Sequence, residues 1–122
     1  MARAIIRNTS VPSAQPINVL LADSFFQRLK GMMFAQNLQL DEGILLVEKN
    51  ESIINTSIHM LFMNFDITAV WLDRNKKVVD VKLARRWRLA YASTLPAMSV
   101  LEIHQDHLND YHPGDQLTIT DA

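Results

Sequence analysis

The run Ile67-Thr68-Ala69-Val70-Trp71-Leu72 contains no charged residue. Side chains alternate along a strand, so Ile67, Ala69 and Trp71 point one way and Thr68, Val70 and Leu72 the other. Both sets are largely apolar, which predicts a strand inside a sheet with cover on both sides. The chain then turns at Arg74-Asn75-Lys76 and returns as Lys77-Val78-Val79-Asp80-Val81-Lys82-Leu83. Two β-rich runs around an Asp/Asn/Lys turn predict a hairpin. The returning strand reads as one-sided, with Val79, Val81 and Leu83 alternating with Asp80 and Lys82.

The other elements are arranged around this hairpin. Residues 3–7 and 17–22 fit short strands, separated by a loop with two prolines and two serines. Ser24 with Gln27 three positions later forms a capping-box pattern and opens the one clear helix. Phe25, Phe26, Leu29 and Met32/Met33 recur at helical spacing and should press on the core. Gly31 suits a C-cap that ends the helix, and Arg28 and Lys30 suit its C-terminal dipole. Residues 43–47 read as a short buried strand and 48–52 as a polar turn. Residues 53–60 read as a further strand, with Ile54, Thr56, Ile58 and Met60 on one face and Asn55, Ser57 and His59 on the other. Residues 60–63 fit an irregular crossing equally well. Residues 84–95 lack a clean period, 99–104 and 116–120 read as strands, and 105–111 suits a helical turn. The expected fold is α+β: a mainly antiparallel β-sheet or partly closed barrel, with one short helix (about 24–30) packed on it. No repeat or linker divides residues 1–122 into more than one domain.

A family resemblance covers roughly residues 17–120. His59-Met60-Leu61-Phe62-Met63-Asn64-Phe65-Asp66-Ile67 followed by Trp71-Leu72-Asp73 resembles the central signature of the small prokaryotic family called domain of unknown function 192. Arg28-Leu29-Lys30-Gly31-Met32-Met33 is similar to that family's Arg-x-x-Gly-Leu-Met motif, and Gly43-Ile44-Leu45-Leu46-Val47 to its Gly-Met-Leu-Phe-Val segment. Pro96-Ala97, Val100-Leu101-Glu102-Ile103 and Gly114-Asp115 follow in the family's order. The resemblance implies a compact β-rich domain and no established activity. Two positions depart from it. The family's proline is Asp66 here and its aspartate two positions later is Thr68, so Asp66 either replaces that carboxylate or the role is lost. Family members are in many cases exported, whereas Met1 to Asn8 is too short and too soon polar for a signal peptide. A cytoplasmic location is therefore expected.

Composition removes several chemistries. The hydrophobic fraction of 48% and charged fraction of 20% are those of a globular protein. There is no cysteine, which excludes disulfides, thiolate metal sites and thiol catalysis. Gly31, Gly43 and Gly114 are too scattered for a phosphate-binding loop. No run reaches the length of a membrane-spanning helix, so no membrane association is expected. A net charge of −1 argues against binding long nucleic acid. The charge is uneven, however. Arg74, Lys76, Lys77, Lys82, Arg85, Arg86 and Arg88 crowd one span, and Glu102, Asp106, Asp110, Asp115 and Asp121 fall where there is no Lys or Arg. The plain reading is that the two segments neutralise each other or face water.

Four places hold candidate chemistry. His104, His107 and His112, interleaved with Asp106, Asp110 and Asp115, are residue types that zinc, nickel or copper accept. Their spacing matches no zinc motif, and a solvated polar segment is the expectation, with no metal and no cofactor. His59, beside Asn55 and Ser57, is a ligand-binding or acid/base candidate; the plain alternative is a histidine held by a backbone carbonyl. Asp66 is its weak catalytic companion. Thioethers bind copper(I), but Met32, Met33, Met60, Met63 and Met98 read as core. Arg85, Arg86 and Arg88 with Trp87 and Tyr91 suit recognition of phosphate or carboxylate through fork hydrogen bonds and stacking. The expected function is a non-enzymatic binding or accessory module for a small anionic ligand or acidic protein surface, using a groove near His59 and the 85–91 loop. The alternative is a hydrolase-like or metal-assisted enzyme using His59 with Asp66, or the His104–His107–His112 cluster. A pocket holding His59 beside a carboxylate would favour the enzyme. The oligomeric state is left open.

Overall fold

The computed structural model describes residues 2–122, apart from the side chains of Phe25, Phe26 and Leu29. One sheet takes in all seven strands: β1 (Arg3–Asn8), β2 (Ile17–Ala22), β3 (Glu42–Ser52), β4 (Ile67–Leu72), β5 (Val78–Ala84), β6 (Ala97–His104) and β7 (Leu117–Asp121). Their order across the sheet is β5-β4-β6-β3-β2-β1-β7. All pairings are antiparallel except β2 with β3, whose connection contains the helix α1 (Phe25–Lys30). Parallel neighbours need such a crossover. The two edge strands draw together at one end through a Lys77–Gln116 bridge, with the Val78 amide donating to the Asp115 carbonyl at 2.8 Å. The result is a partly closed barrel with one short helix.

β4 is buried along its whole length, as its two apolar faces require. Val70 and Leu72 join Ile6, Val19, Leu45, Leu101 and Ile103 inside the curl of the sheet. Ile67, Ala69 and Trp71 join Ile44, Leu46, Met60, Met63 and Val100 on the outer face. The predicted hairpin forms between β4 and β5, but a β-bulge shifts the register: Trp71 pairs with Asp80 and Leu72 with Val78. The extra residue changes which side chains share a face. Val79 therefore packs on the outer cluster while Val81 packs on the inner one, and the one-sided alternation expected for β5 does not hold. Asp80 and Lys82 pair at 3.6 Å on the outer side, with Asp80 accepting from the Thr94 amide and Lys82 donating to the Ala92 carbonyl.

Two other expectations change. β3 runs on through Ser52, so the polar stretch 48–52 is strand and not turn, with a register irregularity after Val47. Residues 53–60 do not form a strand. Ile58 makes an isolated bridge to Tyr91, and the segment crosses the outer face irregularly. Its alternation was readable, but its backbone pairs with a loop. The helix has the predicted capping box, with the Gln27 amide donating to the Ser24 hydroxyl and the Ser24 amide to the Gln27 side chain. Gly31 closes it at a positive φ of 47°. The core role expected of Phe25, Phe26 and Leu29 lies outside the described side chains. Met32 is buried as expected. Residues Gln105–Asp110 form a 3-10 turn, and no helix among the described residues is long and apolar enough to cross a membrane.

Trp71 is fully buried, and its indole N–H donates to the Thr56 carbonyl at 2.8 Å. Trp71→Ala opens a cavity and leaves that carbonyl unpaired, at a cost of ~3–5 kcal/mol. Urea unfolding checks this, and a loss of under about 1 kcal/mol would place the indole in an exposed setting.

Candidate functional site

On the outer face of the sheet, β3 and β6 supply Leu46, Val100 and Glu102 as the floor of a pocket of about 370 Å³. Arg28, Lys30 and Gly31–Met33 form one wall, and Asn55–His59 with Met63 form the other. Each wall is fastened by specific contacts. Arg28 pairs with Glu48 at 2.9 Å and donates to the carbonyls of Asp23 (2.6 Å) and Val47 (3.2 Å), which sets the helix end over β3. The opposite wall hangs from the Trp71–Thr56 bond below. On its outer side it pairs with the 85–91 loop: Ile58 with Tyr91, the Met60 amide with the Arg88 carbonyl, and the Trp87 amide with the Met60 carbonyl.

Glu102 is the residue that the sequence reading did not single out. On β6 it lies between Ile44 of β3 and Ala69 of β4, so its lateral neighbours are apolar. It is 4% exposed and lines the pocket floor. Burial pushes its carboxyl up to about 7, with no opposing charge or hydrogen bond among the causes. Two glycines abut it. A Cβ on Gly43 would lie 2.7 Å from the Glu102 carbonyl oxygen, and a Cβ on Gly31 would lie 3.2 Å from its Oε1. Glu102 therefore does not belong with the solvated C-terminal acids. The available signal was a lone carboxylate inside the apolar run 100–103, on a strand whose other members are buried.

The predicted site residues separate. His59 lines the same pocket as Glu102 and is half-buried. Asp66 is engaged elsewhere: its Oδ1 accepts from the Arg86 amide (2.9 Å) and the Arg86 Nε (3.2 Å), and Arg86 also reaches the Asn64 carbonyl. Arg86 is thus a clasp for the 85–91 loop, while Arg85 and Arg88 are exposed. Thr68, fully buried, donates to the Gln105 carbonyl. The three C-terminal histidines each take a nearby carboxylate: His104 with Asp106 at 3.7 Å, His107 with Asp110 at 2.9 Å and His112 with Asp115 at 3.3 Å. His107 also contacts the Leu40 carbonyl. No cluster of metal-ligating groups occurs among the described residues. Nor do the basic and acidic segments neutralise each other: among the described residues Arg74 pairs with Glu51, Lys82 with Asp80 and Arg86 with Asp66.

The family model of domain of unknown function 192, described as "Uncharacterized ACR", matches residues 6–119. The chain belongs to this family. The match takes in the second half of β1, upstream of the resemblance visible in the motifs. A UPF0127 protein from Thermococcus gammatolerans is 42% identical over 70% of this chain and 54% of its own length. One from Pyrococcus furiosus is 36% identical over 70% of this chain and 71% of its own. The chain spans about half the length of the Thermococcus relatives it matches. A putative transcription regulator from Sinorhizobium meliloti has the same fold, with a TM-score of 0.84 at 19% identity over 97% of this chain and 92% of that one. A protein of unknown function from Novosphingobium aromaticivorans gives 0.79 at 17% identity, over 95% and 83%. At those identities the likeness concerns the fold alone. The motifs that resemble the family's signature are scattered along the chain, yet Arg28, Gly31, Met32, Met33, Leu46, His59, Met63, Val100 and Glu102 all line one pocket.

Glu102 gives this pocket a pH signature. The folded chain holds the proton to about pH 7, against an ordinary carboxyl value of 4.5. Between those values the folded state binds more protons than the unfolded one, so stability falls as pH rises and the full cost is reached above 7. The shift corresponds to about 3 kcal/mol. Glu102→Gln should remove this slope, giving a urea midpoint that changes less between pH 5 and pH 8 than the parent's. Equal slopes in the two proteins would mean that the carboxyl is solvated.

Proposed function

We propose that the chain is a binding module for a small molecule, with the pocket between His59 and Glu102 as its site. The observation that carries this reading is a buried carboxyl at the floor of a cavity, without a counter-charge among the described residues. Burying such a group costs stability unless it is paired, so a fold that keeps one facing open space keeps it for what enters that space. Pockets with perturbed titratable groups are where ligands and substrates bind. The volume lies within the range of small-ligand sites, and the lining mixes apolar side chains with about as many polar and charged ones.

Arg85 and Arg88 remain the residues that suit an acidic partner surface, on the outside of the same loop. Their exposure gives them less purchase than the pocket, because exposed charges are screened. A catalytic reading draws on one observation, the presence of His59 and Glu102 in one pocket, since proton transfer needs an acid and a base near the reacting group. It is separated from binding by recovering a bound compound after long incubation. An unchanged compound supports the module, and conversion lost in both His59→Gln and Glu102→Gln supports the enzyme.

The binding reading is tested by an NMR fragment screen on the full chain. Hits should perturb the amides of Gly31, Met32, Ile58, His59 and Glu102 together. Asn55 is exposed at the pocket wall, so Asn55→Trp should abolish those hits while leaving the melting temperature nearly unchanged. Hits confined to other surfaces would refute the assignment.

A further inference from the structure

We infer that the ligand of this pocket is a small organic amine, its ammonium seated on the Glu102 carboxylate and its apolar part lying against Met32, Met63 and Leu46. This rests on the pocket being a binding site, and it goes further by fixing the sign of the ligand's charge. The cationic residues at the pocket do not serve Glu102. Arg28 is committed to Glu48, which lines the same pocket, at 2.9 Å and to two backbone carbonyls, so its charge is offset by that carboxylate. Lys30 is exposed at the rim. The Glu102 side chain is therefore an acceptor set among apolar groups, with Ile44 and Ala69 beside it in the sheet.

Gly31 adds a geometric condition. Its backbone passes over the carboxyl so closely that a Cβ would sit 3.2 Å from Oε1, and its φ of 47° is unfavourable for other residues. The chain thus approaches Glu102 without bringing a side chain to it, and leaves it accessible from the pocket. What this carboxyl lacks among the described residues is a counter-ion with N–H donors. An ammonium supplies both the charge and the donors, and a charge-assisted hydrogen bond in a low-dielectric site is far stronger than in water. A carboxylate ligand meets repulsion unless Glu102 keeps its proton. A neutral alcohol forms a hydrogen bond but leaves the buried charge unpaired. A hard metal ion is a poor match, because it demands several oxygen ligands.

The amine reading also predicts a proton count. Below about pH 7 the free protein carries a proton on Glu102, and an ammonium must displace it. Affinity should therefore rise about tenfold per pH unit below that point and level off above it, by linkage.

The experiment titrates the full chain with three probes of nearly equal shape, benzylamine, benzyl alcohol and benzoate, at pH 6 and pH 8, following backbone amides by NMR. At pH 8 benzylamine should bind about tenfold or more tightly than either of the others, a difference of about 1.4 kcal/mol, with shifts at Gly31, His59 and Glu102. It should weaken at pH 6. Glu102→Gln should remove the preference for benzylamine over benzyl alcohol. The comparison of probes and the pH dependence are both read in the parent, so the inference stays testable if the variant does not fold. Benzoate or benzyl alcohol binding the pocket as tightly as benzylamine at pH 8 would overturn the amine inference and leave the pocket as a ligand site. A failure of all three, together with an empty fragment screen, would overturn both.

Discussion

A strand buried on both faces needs two apolar layers, and the described residues offer a single six-residue α-helix with which to build the second. The inner layer comes from the curl of the sheet, because β1, β2, β3 and β6 bend around the inward side chains of β4. The outer layer is made mostly of irregular backbone. Irregular cover has to satisfy its own polar groups, and here it does so through individual fasteners. The Trp71 indole holds Thr56, Ile58 pairs with Tyr91, Met60 pairs with Arg88 and Trp87, and Asp66 holds Arg86. Lys82 and Asp80 then hold the far end of the 85–96 loop.

This manner of covering has two consequences. The first is local backbone strain. Phe34, Phe62 and Trp87 all have positive φ, at 66°, 61° and 65°, and all lie in the covering segments. Their rings meet, with centroids 5.2 Å apart for Phe34–Phe62 and 5.4 Å for Phe62–Trp87, so packing among them offsets part of that strain. The second consequence is the pocket itself. A regular helix would have filled the space above β3 and β6, whereas a helix end and a crossing segment leave a gap over Glu102. The same architectural shortage that demands loops also creates the concavity.

Charge in this molecule is spent over short distances. His104, His107 and His112 each pair with a carboxylate two or three residues on, Arg28 and Arg74 pair with Glu48 and Glu51 of β3, and Arg86 pairs with Asp66 just before β4. Glu102 differs in being buried, a carboxyl placed by strand alternation on a covered face and left facing a cavity. That contrast gives the pocket its weight as a site. Asp66, Arg86 and the three C-terminal histidines, by contrast, are engaged in contacts that hold the fold.

Much of the architecture was legible along the chain. The double-faced apolar run 67–72 specified a strand with cover on both sides, the Ser24–Gln27 pair specified the helix start, and five motifs in order specified the family. These signals are local or depend on order, and alternation and capping need only a few adjacent residues. The faces of β5 were not legible, because a bulge moves the register without leaving a mark in composition. Nor was the end of β3, because a polar stretch on an exposed strand looks like a turn. The site was legible only in pieces. His59 stood out by residue type, but Asp66 was drawn to Arg86 instead, and Glu102 looked like one acid in an acidic segment. Which carboxylate shares a pocket with His59 depends on strand order, and β6 lies beside β3 through long-range pairing that no local pattern encodes. The sequence determined which faces are apolar; the tertiary structure decided that the carboxyl of Glu102, on one of those faces, would front a cavity with no charged partner among the described residues.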